Sequence, residues 1–198
     1  MKKLNTRKLV ATALMIAIIV LLDITQLGYF NIGPLQLTLM CVPVVIGTLT
    51  LGLGPGLLLG AAFAATSIAR IPQNVFYAVL FVDFFSIAKM VCVCLLPRLL
   101  IPVIVHLMSK LMQKCRTHHF IQNGIASAFG PLTNTVFFLG LFYLLFHGQA
   151  QQLSADMYTL FMSSFTIATT VNAVAELIMA VIICPPIVYA VSKAFKLK

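Results

Sequence analysis

Acidic side chains are scarce in this sequence: 4 Asp and Glu stand against 13 Lys and Arg in 198 residues. Charged residues of both signs make up only 9%, where a soluble domain carries roughly 25%. A chain so poor in charge cannot clothe a water-facing surface, and it has no room for a soluble catalytic domain. Tryptophan is absent, so any stacking on a flat ring falls to Tyr and Phe. The five cysteines (Cys41, Cys92, Cys94, Cys115 and Cys184) form no CxxC pair and are odd in number. That argues for small apolar fillers over a metal site or disulfide framework. HExxH, GxSxG, a Walker A loop and any close pair of acidic residues are missing too.

What is present is apolar. Hydrophobic residues make up 61%, and the mean hydropathy is +1.07. A helix needs about 20 mostly apolar residues to span a bilayer. Six segments qualify or nearly so: Leu9–Leu27, Leu37–Leu53, Gly56–Ala69, Ile87–Met112, Ile121–Phe146 and Met162–Val191. The second and third are short and joined by Gly52, Gly54, Pro55 and Gly56, which read as a tight turn. Lys2, Lys3, Arg7 and Lys8 precede the first run, as in a signal peptide, but no clear small-residue cleavage site follows. A retained first helix is expected. The reading is a single all-α integral membrane domain over residues 1–198, a bundle of six transmembrane helices.

The basic residues orient it. Ten of the 13 positive charges lie at the N-terminus, in the fourth-to-fifth connection (Lys110, Lys114, Arg116) and at the C-terminus (Lys193, Lys196, Lys198). Lys/Arg excess marks cytoplasmic segments, so both termini are expected in the cytoplasm. The stretches Gly28–Gln36, Ile71–Ser86 and His147–Asp156 then face outward. The middle one is long and amphipathic, and reads as a lid over a site or as a helix lying in the interface. Asp23, at the outer end of the first segment, is expected at the interface.

Arg98 is the exception that matters. It sits after Pro97, near the middle of KMVCVCLLPRLLIPVIVHLMSKLM (Lys89–Met112). A charge at bilayer depth usually faces a protein interior or a water-filled cavity. Counted from the outer ends of their segments, Arg98, Asn134 and Asn172 lie 11, 12 and 10 residues in. At 1.5 Å per residue all three sit about 15–18 Å deep. Three polar side chains at one depth fit a solute site, or hydrogen bonds that hold the bundle together. Glu176, one turn after Asn172, shares its face. It would neutralise Arg98 or accept hydrogen bonds from a solute. Ala13 and Ala17 share one face of the first segment, at a spacing that lets helices pack closely in lipid. Without a nucleotide site, the chain cannot drive uphill transport alone.

These pieces resemble the S components of energy-coupling factor (ECF) vitamin transporters. The resemblance covers nearly the whole chain. It rests on the length, the six spans, the basic termini, Ala13/Ala17 and the glycine turn LGLGPG at Leu51–Gly56. More specific are LLPRLLIP at Leu95–Pro102, GPLTNTVFFLGLFYLLF at Gly130–Phe146 and NAVAELIMAVII at Asn172–Ile183. The resemblance implies a non-enzymatic subunit in a bacterial plasma membrane. It implies no cofactor in this chain, with ATP used by partner subunits: a transmembrane coupling subunit and two cytoplasmic ATPases. The coupling subunit would dock on Ala13 and Ala17, and the subunit would topple in the membrane to release its vitamin. The PR of Pro97–Arg98 and the TNT of Thr133–Thr135 are most similar to pantothenate-specific members. Arg98, Asn134, Asn172 and Glu176 would then bind substrate, with Tyr77 and Tyr143 as stacking candidates. Other vitamins or precursors (hydroxymethylpyrimidine, pyridoxine, folate, riboflavin) are the rival substrates, and a small membrane enzyme acting on lipid is the rival of another class.

Overall fold

The computed structural model describes residues 6–25, 29–32, 35–70, 84–114, 118–150 and 155–194. Among them are six helices and one two-stranded hairpin: α1 (Thr6–Ile24), β1 (Tyr29–Ile32), β2 (Leu35–Thr38), α2 (Cys41–Leu51), α3 (Leu53–Ala69), α4 (Phe84–Lys114), α5 (His119–Ala150) and α6 (Ala155–Ala194). By length and composition, three helices can cross a membrane, with spans Phe85–Lys114, His119–Phe146 and Thr169–Ala194.

A short hairpin is added to the expected all-helical bundle. Tyr29 pairs with Thr38 and Ile32 with Leu35 in antiparallel register. Leu35 and Leu37 alternate with Gln36 and Thr38, the period-2 pattern of a strand. The expected second span took Leu37 as its first residue, but Leu37 lies in β2 and α2 begins only at Cys41.

Helix α2 has 11 residues, about 16 Å of helix, roughly half the hydrocarbon thickness. Eight of those residues are buried: Cys41, Pro43, Val44, Val45, Ile46, Gly47, Thr48 and Leu51. A helix apolar on every side belongs in an interior, and α2 packs on all five other helices. The larger apolar core forms around it, where Val44 and Val45 meet Ile19, Leu59, Phe63, Ile101, Val105 and Cys184.

One residue separates α2 from α3. Gly52 holds φ +100°, a backbone region that glycine enters without strain. Its N–H closes α2 on the Thr48 carbonyl, 3.1 Å away. Gly54, Pro55 and Gly56, expected in the turn, form the first turn of α3 instead, where proline's missing N–H costs nothing.

Close approaches set the remaining registers. A methyl placed on Gly56 would meet Pro102, and one on Gly60 the Arg98 carbonyl oxygen at 2.5 Å. So α3 and α4 run antiparallel in near backbone contact. Gly130 of α5 faces Ile101 and Val105 of α4. Gly124 faces Pro185 of α6, and the Ser127 side chain hydrogen-bonds Cys184, so α5 and α6 are antiparallel. At the C-terminal ends of α1 and α3, Arg70 Nε bonds Asp23 Oδ1 at 2.6 Å, and the same guanidinium reaches the Asp23 carbonyl. Asp23 is thus part-buried in an ion pair that brings those two ends together.

Gly60 yields a direct test. Gly60→Ala drives a methyl into backbone that cannot rotate away, at a cost of about 1–3 kcal/mol. Gly140 has nothing within 4 Å of the same methyl, so Gly140→Ala should stay within about 0.5 kcal/mol of the parent. Thermal unfolding of the two variants in detergent distinguishes them, and equal midpoints would refute the close approach.

Candidate functional site

Two prolines shape the centre of α4. Proline has no N–H to give the carbonyl four residues back, so Pro97 frees the carbonyl of Val93 and Pro102 frees that of Arg98. Freed carbonyls inside an apolar helix need other partners. The Arg98 side chain supplies one. Its Nη1 donates to the Cys94 carbonyl at 2.9 Å and lies 3.5 Å from that of Val93. The carbonyl of Arg98 itself is met by the α-carbon side of Gly60.

The guanidinium thus turns back along its own helix toward α3 and α5. Its Nε donates to Ser67 Oγ at 3.1 Å. Its carbon lies 5.1 Å from the Phe63 ring centre and 5.5 Å from that of Phe138, within cation–π range of both. Phe138 begins a ladder of stacked rings on α5, with Phe142 6.3 Å away and Phe146 5.0 Å beyond. Among the described residues, Glu176 is not one of the hydrogen-bond or ion-pair partners of Arg98.

Asn134 lies at the same level, and Glu176 comes beside it. Gly130 stands beside Ile101 and Val105, so Asn134, one turn further on, comes level with Arg98. Seven residues on from Ser127, Asn134 is also level with residue 177 of α6, next to Glu176, because Ser127 meets Cys184. Asn172 Nδ2 donates to Glu176 Oε1 at 3.2 Å. Cys41, at the start of α2, is in electrostatic reach of both Glu176 and Arg98. Four helices therefore bring polar groups toward one region.

Two amide oxygens there, Asn134 Oδ1 and Asn172 Oδ1, are buried and have no hydrogen-bond partner among the described residues. A buried polar atom left this way costs about 1–3 kcal/mol, which a ligand's O–H or N–H would recover. Because the Asn172 NH₂ goes to Glu176 Oε1, its oxygen turns elsewhere.

The remaining expected residues divide. Tyr77 lies outside the described residues. Tyr143 is half exposed, nine residues past Asn134, which at about 100° per residue turns it to the opposite side of α5. Ala13 and Ala17 lie on the exposed face of α1, beside exposed Leu14, Ile18 and Leu21, while Ala11, Thr12, Met15 and Ile19 face inward. Sequence reasoning missed Phe63, Ser67 and Phe138. The signal was there: Phe63 and Ser67 are one turn apart, as are Asn134 and Phe138. What the sequence lacked was the pairing of α3 with α4. No group of three or more metal-ligating side chains occurs among the described residues.

The chain resembles known proteins along almost its full length. The family model of the ECF transporter substrate-specific component matches residues 7–188. The pantothenic acid transporter PanT of Lactococcus lactis subsp. cremoris (strain MG1363) is 27% identical over 208 residues, covering 98% of each chain. With that match across the whole helical bundle, the chain belongs to the substrate-specific components of ECF transporters.

Proposed function

We propose that this S component captures pantothenate from outside the cell and delivers it inward with a coupling subunit and two ATPases. The observation that carries this reading is the site's chemistry. A guanidinium whose Nη2 has no partner among the described residues lies level with Asn134, and the buried amide oxygens of Asn134 and Asn172 lack donors there too. Such a site asks for an anion that also carries O–H or N–H groups. Pantothenate offers one carboxylate, two hydroxyls and an amide. The similarity to a pantothenic acid transporter supports the same substrate.

In this reading the six helices lie across the membrane with both termini in the cytoplasm, as the distribution of basic residues favours. The ion pair between Asp23 and Arg70 then sits at the outer surface with the hairpin. Cysteine labelling in a background lacking the five native cysteines checks the orientation. A cysteine at Lys114 should react only from the cytoplasmic side, and one at Gln151 only from outside. The reverse pattern would invert the topology.

The exposed small-residue face of α1 is where the coupling subunit docks. Ala13→Trp or Ala17→Trp should abolish uptake by holding the partner helix away, while pantothenate binding to the isolated subunit persists. Loss of binding together with retained co-purification of the ATPases would contradict this assignment.

Arg98→Ala should weaken pantothenate binding by about 1.5–3 kcal/mol, roughly 10- to 150-fold. Arg98→Lys should restore it only in part, because a point charge cannot reproduce the guanidinium fork. Isothermal titration in detergent against pantothenate and its alcohol analogue, pantothenol, gives the measurement. Pantothenol should bind the parent weakly and lose little more in Arg98→Ala. Equal losses for acid and alcohol would mean that Arg98 supports the fold and does not read a carboxylate.

A further inference from the structure

Helix α3 contributes no residue to the expected binding set, yet it holds the Arg98 side chain. A guanidinium has five N–H donors. Ser67 takes the one on Nε, and Nη1 serves the carbonyls of Cys94 and Val93. Nη2 has no partner among the described residues, which leaves its two N–H groups at the end of the side chain. The Ser67 hydroxyl is itself fixed, because its proton goes to the Phe63 carbonyl 2.9 Å away, so a lone pair is left for Nε. Phe63 and Phe138 approach the guanidinium from α3 and α5. The side chain is thus held at its Nε edge, at its rear and against two rings.

We propose that Ser67 is a positioning residue. With Phe138, it fixes the Arg98 guanidinium so that its Nη2 end meets the carboxylate of the substrate. This rests on the reading of Arg98 as the carboxylate-binding residue, and it adds what aims the residue. All of the holding groups are neutral, so they orient the charge without cancelling it. An acidic partner at Nε would do the first and forfeit the second. Holding matters because an arginine side chain carries about 2 kcal/mol of rotamer entropy. A guanidinium ordered before the ligand arrives does not pay that cost on binding.

The test compares acid and alcohol again, on the full subunit in detergent. Ser67→Ala frees Nε and leaves the Nη2 end able to swing. It should lower affinity for pantothenate roughly three- to tenfold while leaving pantothenol within about twofold, so the acid-to-alcohol preference falls. Ser67→Thr should recover the preference, since a threonine hydroxyl in a helix makes the same bond to the carbonyl one turn back, as Thr48 does with Val44 at 2.7 Å. Phe138→Leu, which removes one ring and keeps the apolar volume, should lower the preference in the same direction. It supplies the answer if the alanine variant does not fold. Arg98→Ala in parallel separates the two levels. If it leaves acid binding intact, the carboxylate reading and this inference fall together. If it weakens acid binding while Ser67→Ala and Phe138→Leu keep the parent preference, or lower acid and alcohol alike, only the positioning role is overturned.

Discussion

Two prolines five residues apart in α4 impose the constraint from which the centre of the molecule follows. Each removes a backbone donor where water is not there to replace it, and each frees a carbonyl one turn back. The protein answers the two vacancies differently. At the first, an arginine side chain folds back and donates, which brings a cation to mid-helix. At the second, a glycine on the neighbouring helix lets backbone meet backbone, close enough for a weak Cα–H···O contact. Proline, arginine and glycine are thus one arrangement. The charge proposed to bind substrate also completes the hydrogen bonding of the helix that carries it.

The bundle around that point is organised by its shortest helix. Helix α2 is apolar on every side and is enclosed by the others. It brings Cys41 beside the region of Arg98 and Glu176. Gly52 then reverses the chain within one residue, so α3 lies back along α2 and arrives against α4 at the level of the prolines. A longer connection would loosen that register, and with it the approach of Gly60 and Ser67 to Arg98.

How much of this was legible in the sequence depends on the range of the interaction. The long helices could be read because a run of apolar residues reports directly on its own segment. The level that Arg98 and Asn134 share could be read by counting, because rise per residue is nearly constant, whereas Asn172 stands five residues from the α6 position opposite Asn134. The hairpin was lost because its period-2 pattern spans only a few residues and ends in leucines, which extended the apolar run that follows. The partners of Arg98 were lost for another reason. Glu176 is the obvious counter-charge by sign, but sign says nothing about which helices adjoin. Gly60, a small residue in an apolar run, decides that α3 and not α6 lies against the Arg98 backbone, and so that Ser67 reaches Nε.

That outcome has an energetic consequence for a binding subunit. A cation inside a membrane protein carries a desolvation cost that neutral dipoles offset only partly. Had Glu176 paired with Arg98, most of that cost would already be met. An incoming anion would then have to displace a carboxylate and leave it stranded. With a hydroxyl, two carbonyls and two ring faces as partners, the donors are oriented while the net charge persists. The same holds for the amide oxygens of Asn134 and Asn172, which remain buried acceptors. Ligand binding in such a site does not replace existing bonds. It removes a strain that folding has left, so affinity and stability are coupled: any ligand that binds only the folded form stabilises it by about 2.7 kcal/mol at a hundred times its dissociation constant. On the proposed reading of the site, part of the ligand's affinity would be instability that the unliganded fold carries at its centre.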